Sequence, residues 1–250
     1  MEKLNISIIK ILLVGALVTV SATANAGQGF RFSSKAPVVV APQTHIGYFF
    51  GYGGFTFGTD FTSRGAFDEP WPHGALYADP SNIPINFSMD EGWSAGGGVG
   101  FYSNLLNGSR FELEGSYLTN EVGDDFTFAG VALPATFKFQ TNTAMINFLK
   151  EVPLGRQGGL TSYFGFGLGY SSTKMQGATG GVGYSSRDDG FAWQLIAGVD
   201  FPIGQNLALF TQYRYLALPD STFETDFGDF NLFNGSPSNH SVLFGARVSF

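Results

Sequence analysis

The sequence predicts an all-β fold, an eight-stranded antiparallel up-and-down transmembrane β-barrel. Three observations carry that prediction. The chain is hydrophobic and aromatic but weakly charged, it holds no long apolar run beyond its N-terminal stretch, and its apolar residues recur at every second position in eight segments. Alternation is the mark of a strand with one apolar face. Of the 250 residues, 44% are hydrophobic, 16% aromatic and 13% charged, with 35 Gly and 27 Phe. An average soluble domain carries about 25% charged residues. Intrinsic disorder needs low hydrophobicity and high net charge, so it is excluded. A coiled coil needs a Glu-, Lys-, Leu- and Ala-rich chain and is excluded too. A net charge of −7 leaves no basic footprint for nucleic acid. Zero Cys removes disulfides, thiolate metal sites and Cys nucleophiles together.

The first element, residues 1–26, reads as a signal peptide. Lys3 supplies positive charge, Ile11–Val20 is an apolar core, and Ala24-Asn25-Ala26 forms a cleavage site before Gly27. A transmembrane helix would need about 20 apolar residues, and Lys10 cuts this run short. Residues 27–44, with Pro37 and Pro42, read as an extended periplasmic lead-in. Residues 45–250 are expected to form the barrel domain, exported to a Gram-negative outer membrane.

The eight strands follow in order. Ile46–Phe55 sets Ile46, Tyr48, Phe50 and Tyr52, read as the apolar face, against Gly47, Gly51 and Gly53. Trp93–Phe101 alternates Trp93, Ala95, Val99 and Phe101 with glycines. Arg110–Tyr117 sets Phe111, Leu113 and Tyr117 against Arg110, Glu112, Glu114 and Ser116. Thr141–Lys150 is weaker, with Ala144, Ile146 and Phe148 opposing Thr143, Met145 and Asn147. Tyr163–Ser171 alternates Phe164, Phe166, Leu168 and Tyr170 with Gly165, Gly167 and Gly169. Phe191–Phe201 sets Phe191, Trp193, Leu195, Ala197, Val199 and Phe201 against Gln194, Gly198 and Asp200. Leu207–Tyr215 opposes Leu207, Leu209, Thr211, Tyr213 and Tyr215 to Gln212 and Arg214. Ser241–Phe250 opposes Val242, Phe244, Ala246, Val248 and Phe250 to Ser241, Leu243, Gly245, Arg247 and Ser249. A tilted membrane strand needs about 9–11 residues.

The connections alternate long and short: 58–91, 103–108, 121–136, 151–159, 173–189, 202–206 and 218–239. An outer-membrane barrel shows that rhythm, with long external loops and short periplasmic turns. A soluble barrel would turn its apolar face inward. Here that face is aromatic and nearly continuous, as lipid requires. Cleavage after Ala26 removes Glu2 and leaves 19 of the 20 acidic residues, and 15 of them fall on the long connections against Arg64, Lys174 and Arg187. Such a charge block reads first as a solvated loop surface; the sharper alternative is divalent bridging to lipopolysaccharide by hard carboxylate oxygens, at Asp124 and Asp125 among others.

Eight strands leave a lumen that side chains just fill. Arg110, Glu112, Glu114, Arg214 and Arg247 are expected to form a lumen charge network, with Glu112 and Glu114 paired to Arg214 or Arg247. A guanidinium fork matches a carboxylate, and an unpaired buried charge is costly. A general diffusion porin is excluded, since a water-filled channel needs about 16 strands.

The segments RFELEGSY (110–117), YFGFGLGY (163–170), YRYL (213–216) and the terminal 240–250 resemble the small outer-membrane β-barrel family of opacity-type porins and surface antigens, which is similar to the OmpA-type N-terminal barrel. The resemblance implies insertion by the barrel-assembly machinery, with Phe250 as the insertion signal. It also implies contact with outer-membrane lipid and lipopolysaccharide.

The expected role is structural and surface-exposed, through acidic, aromatic external loops. An alternative is an adhesin or ligand-binding protein that meets an external ligand or host surface through the last long loop, where Phe223, Phe227, Phe230 and Phe233 lie among acids. A further alternative is a lipid A-modifying barrel. Its only candidate pair, His240-Ser241, sits on neighbouring strand positions that face opposite ways. No catalytic residue, metal site or cofactor is expected.

Overall fold

The computed structural model describes residues 46–58, 61–67, 83–87, 89–103, 108–122, 127–128, 131–132, 135–154, 159–179, 182–219, 221–224, 230–235 and 237–250. The export signal, its cleavage site and the lead-in lie outside these residues, as do Phe227, Asp124 and Asp125.

All regular structure among the described residues is strand. In chain order the strands are β1 (Gly47–Gly58), β2 (Phe61–Phe67), β3 (Ile83–Phe87), β4 (Met89–Ser103), β5 (Ser109–Val122), β6 (Thr127–Phe128) and β7 (Val131–Ala132). They continue with β8 (Ala135–Leu154), β9 (Leu160–Thr179), β10 (Val182–Pro202), β11 (Leu207–Ala217), β12 (Ser221–Glu224), β13 (Phe230–Gly235) and β14 (Ser238–Ser249). Eight of them close an antiparallel barrel in the order β1-β4-β5-β8-β9-β10-β11-β14 and back to β1. Every barrel neighbour is thus the next barrel strand along the chain, and Phe49↔Val248 pairs the first with the last. Closure leaves no strand edge in lipid, where an unpaired backbone group costs several kcal/mol.

The centre of each strand matches the alternation in the sequence, but the strands run further. β8 and β9 have 20 residues each and β10 has 21. The outer face of β10 shows where lipid ends. Arg187 and Asp189 face out at its upper end, then Phe191, Trp193, Leu195, Ala197 and Phe201 are all exposed. From Phe191 to Phe201 the rise is about 25 Å at ~3.3 Å per residue and ~40° tilt, the height of a lipid-facing band. The rest of β10 lifts the barrel wall clear of the membrane by about 20 Å on the same geometry.

Aromatic rings border this band at both ends. Trp93 packs on Tyr117 and Trp193 on Tyr215, with ring centroids 5.2 and 5.4 Å apart, at the long-connection end. Phe111, Phe148 and Phe166 form a chain at the other, with centroids 5.3 and 5.9 Å apart. Tyr and Trp suit an interface because one end of the ring is apolar and the other wet.

Two expectations need correction. In β1 the alternation is present but its face is reversed. Tyr48 and Tyr52 are buried in the lumen, while Phe49 and Phe55 face lipid at 61% and 63% exposure. Register supplies the reason. Tyr48 lies opposite Gly100 and Tyr52 opposite Gly96. A Cβ on either glycine would overlap the tyrosine ring, so the inner glycines of β4 make room for the inner aromatics of β1. The second correction concerns the long connections. They contain a second, six-stranded sheet of order β12-β13-β2-β3-β6-β7, drawn from three of them. Asp90, Glu91, Glu121, Asp188 and Asp189 lie on the barrel strands themselves, above the lipid band.

Candidate functional site

The lumen collects the chain's buried chemistry. The sequence has four acidic residues that lie neither on the long connections nor in the first 26 residues: Glu112, Glu114, Glu151 and Asp200. All four enter two ion-pair clusters with Arg110, Arg214 and Arg247. The alternation of β5 explains half of this. Arg110, Glu112 and Glu114 are successive inward positions on a strand whose outward residues Phe111 and Leu113 meet lipid.

The upper cluster is centred on Glu114 and Arg214. Arg214 Nη1 lies 2.7 Å from Glu114 Oε1. Asn147 Nδ2 donates to the other carboxylate oxygen at 2.7 Å, and Gln194 Nε2 donates in turn to Asn147 Oδ1 at 2.6 Å. Tyr52 Oη donates to Glu114 and accepts from Arg214 Nη1 at 2.9 Å. The Arg214 guanidinium also stands over the Tyr52 ring, 4.8 Å from its centroid. One carboxylate thus has three donors and one countercharge, which offsets much of its desolvation.

The lower cluster lies nearer the short turns. Arg110 Nη1 binds Asp200 Oδ2 at 2.9 Å and also Glu151. Arg247 Nη1 reaches the same Asp200 oxygen at 2.8 Å and Glu151 at 4.0 Å. Glu112 sits 3.4 Å from Arg110 Nε and accepts from Tyr48 Oη at 2.7 Å. Tyr163 and Tyr48 stack on the guanidinium planes, at 4.3 Å from Arg110 and 4.4 Å from Arg247. Three carboxylates face two arginines here, so the cluster carries a formal charge of −1 while the upper one is neutral.

Glu114 therefore lies with Arg214, but Glu112 pairs with its own strand's Arg110 rather than across the lumen with Arg214 or Arg247. Tyr48 is the physical reason: its ring stands between Glu112 and Arg247, bonding the one and stacking on the other. Sequence reasoning did not find Glu151, Asp200, Tyr48, Tyr52 or Tyr163 as members. Their signal is the glycine across the sheet: Tyr163 lies opposite Gly198 as Tyr48 lies opposite Gly100.

Above the charges the lumen is mixed: buried hydroxyls such as Ser116 and Thr143, 2.6 Å apart, and Thr141 and Thr173, 3.0 Å apart, share it with an apolar cluster. Leu118, Met145, Ala192, Leu216 and Leu218 pack as one buried cluster. No grouping of three or more His, Asp or Glu suited to a metal exists among the described residues. His240 and Ser241 part company as expected: His240 Nδ1 is hydrogen-bonded to Tyr213 Oη on the outer wall, and Ser241 is buried in the lumen. Phe250 lies on the outer wall against Phe49, centroids 5.1 Å apart, with its N–H donated to Gly47 O at 2.9 Å. Phe223, Phe230 and Phe233 lie in β12 and β13 of the second sheet.

The family model of the outer membrane protein beta-barrel domain matches residues 12–250. No curated protein matches the chain. Among solved structures, Neisserial surface protein A is 15% identical, with 81% of this chain and 97% of that one covered at a TM-score of 0.44. A major outer membrane protein from Thermus thermophilus is 13% identical over 78% of this chain and 99% of its own, at 0.47. The outer membrane protease OmpT from Escherichia coli is 9% identical over 89% and 99%, at 0.46. With its closed barrel and a family match over nearly its whole length, the chain belongs to the outer membrane protein β-barrel domain family.

Proposed function

We propose that this protein is a surface-exposed structural barrel of a Gram-negative outer membrane, with a solid rather than a conducting lumen. The observation that carries this reading is the stack of ion-paired and apolar layers inside the barrel. Arg110, Glu151, Asp200 and Arg247 lie at one level, Glu114 and Arg214 above them, and Leu118, Leu216 and Leu218 above those. Export through residues 1–26 with cleavage after Ala26, and insertion by the barrel-assembly machinery with Phe250 as signal, belong to the same proposal. So does contact between the acidic loops and lipopolysaccharide through divalent cations. Fractionation with surface proteolysis of intact cells tests it. Cuts confined to the four long connections support the reading, and cuts in the short turns refute it.

A second reading has its own observation. The last long connection is joined to the first, because β13 pairs with β2. Register sets Phe230 opposite Phe67, Leu232 opposite Gly65 on one side and Phe223 on the other, and Ile85 opposite Phe128. Long connections joined in one sheet suit adhesion or ligand capture outside the cell. Adhesion retained by a version lacking Ser221–Ser238 would count against it. Lipid A modification draws no support from the separation of His240 and Ser241 to opposite faces. A lipid A mass shift abolished by His240→Ala would reverse that judgement.

A further inference from the structure

We infer that the outer wall of β9 and β10 carries a binding site for a phosphate group of lipopolysaccharide, held directly by Lys174 and Arg187 with no bridging metal. The site lies on the long-connection side, so it rests on the reading that these connections are external. Cations are one-sided in the collar above the lipid band. Among the described residues of the barrel strands, Lys138, Lys174 and Arg187 are the collar's only outward-facing Lys or Arg, and they lie on the adjacent strands β8, β9 and β10. The collar of β4 and β5 carries Asp90, Glu91 and Glu121 instead.

Lys174 and Arg187 are direct cross-strand partners, with Gln140 opposite Lys174 on its other side. Like charges so placed repel. Carboxylates offset two of the three cations. Asp189 Oδ1 stands 3.4 Å from Arg187 Nε, and Glu121 stands 3.8 Å from Lys138 Nζ. Lys174 is exposed and forms no ion pair among the described residues. It is therefore a surplus positive charge, and an anion between it and Arg187 would relieve the repulsion.

Height above the lipid selects the anion. Arg187 stands four residues beyond Phe191, the last outward aromatic of β10. That sets its backbone about 10 Å above Phe191 at ~3.3 Å per residue and ~40° tilt. The side chain turns back toward the lipid. Arg187 Nε donates to Ser172 Oγ at 2.9 Å and to Asp189 Oδ1 at 3.4 Å. Ser172 and Asp189 are cross-strand partners only two residues beyond Tyr170 and Phe191, both exposed to lipid. The guanidinium is thus held about 5 Å above the last lipid-facing rings. The interfacial layer on each side of the hydrocarbon is about 5–8 Å thick and contains the headgroup phosphates. Arg187 is held through Nε alone and its side chain is 66% exposed. Both terminal nitrogens are left for a two-point contact with phosphate. Lys174 adds an ammonium on a flexible stem that reaches the same layer from the same row.

The test is a titration of the refolded full-length barrel with diphosphoryl lipid A in neutral maltoside micelles containing EDTA, followed by the amide NMR shift of Ser172. Dephosphorylated lipid A and inorganic phosphate serve as parallel probes. Saturable shifts with the diphosphoryl lipid, absent with the dephosphorylated lipid and far weaker with inorganic phosphate, are expected. Lys174→Gln and Arg187→Gln should each weaken binding about tenfold, the scale of one lost charge-assisted contact. Lys150→Gln removes the same charge from β8 at the short-turn end and should bind as wild type does. Equal affinity for the dephosphorylated lipid or for inorganic phosphate, binding only after calcium is restored, or equal weakening in Lys150→Gln would each overturn the inference. Surface proteolysis of intact cells decides orientation separately. Cuts in the short turns refute the external reading, whereas absence of lipid A binding with that orientation intact refutes this site alone.

Discussion

The Glu114–Arg214 pair allows the sharpest test of how the lumen is held together. At 2.7 Å and an effective dielectric of ~20, the Coulomb attraction is about 6 kcal/mol. Desolvation of both groups offsets part of it. Glu114 keeps its bonds from Tyr52 and Asn147 when Arg214 is removed, but it stays buried without a countercharge. Arg214→Met should therefore cost about 3–5 kcal/mol, the range for breaking a buried pair. Glu114→Gln strands the arginine and should cost a similar amount. The double variant removes both charges, so it should cost less than the sum of the singles by about 3 kcal/mol. Reversible urea unfolding of the barrel in lipid vesicles, followed by Trp93 and Trp193 fluorescence, measures all four species. A coupling below about 0.5 kcal/mol, typical of exposed pairs, would show that lumen water solvates these charges and would refute the plug.

Three further outcomes follow from the same geometry. Gly198→Leu places side-chain atoms on the Tyr163 ring and should destabilise by about 1–3 kcal/mol through overpacking. Gly51→Ala faces lipid with only Gly96 O nearby at 3.8 Å and should stay within about 0.5 kcal/mol; the urea midpoints check both. Ile146→Lys, on the lipid face at 62% exposure, should cost about 2–4 kcal/mol, whereas Gln176→Lys, above the apolar band, should change little in the same assay. Leu118→Ala opens the apolar layer above the charges and should cost about 2–5 kcal/mol, read as a lowered unfolding midpoint.

The fold was legible because lipid imposes a strict demand on every second residue. Segments such as Phe191–Phe201 carry six apolar residues on one parity, and that parity is the exposed one in the barrel. β1 was harder for a physical reason. Its even positions from 48 to 52 are aromatic and its odd positions mix Gly with Phe, so alternation was clear but the choice of face was not. Only the register with Gly96, Gly98 and Gly100 of β4 decides it. The strand ends were hidden because the demand stops where lipid stops. Lys174, Gln176 and Arg187 face outward there, and polar residues on both faces erase the period of two. The charge network shows the same limit. Inward positions of single strands can be counted along the sequence, but Glu151 and Asp200 lie 49 residues apart in the chain. They meet Arg110 only after closure brings β5, β8 and β10 around one lumen.

The central claim is that the lumen is filled by ion-paired and apolar side chains. Planar-bilayer recording of the purified barrel tests it most directly. The account predicts no steady conductance above the bare bilayer in wild type. A large, long-lived conductance in the wild-type barrel would contradict it.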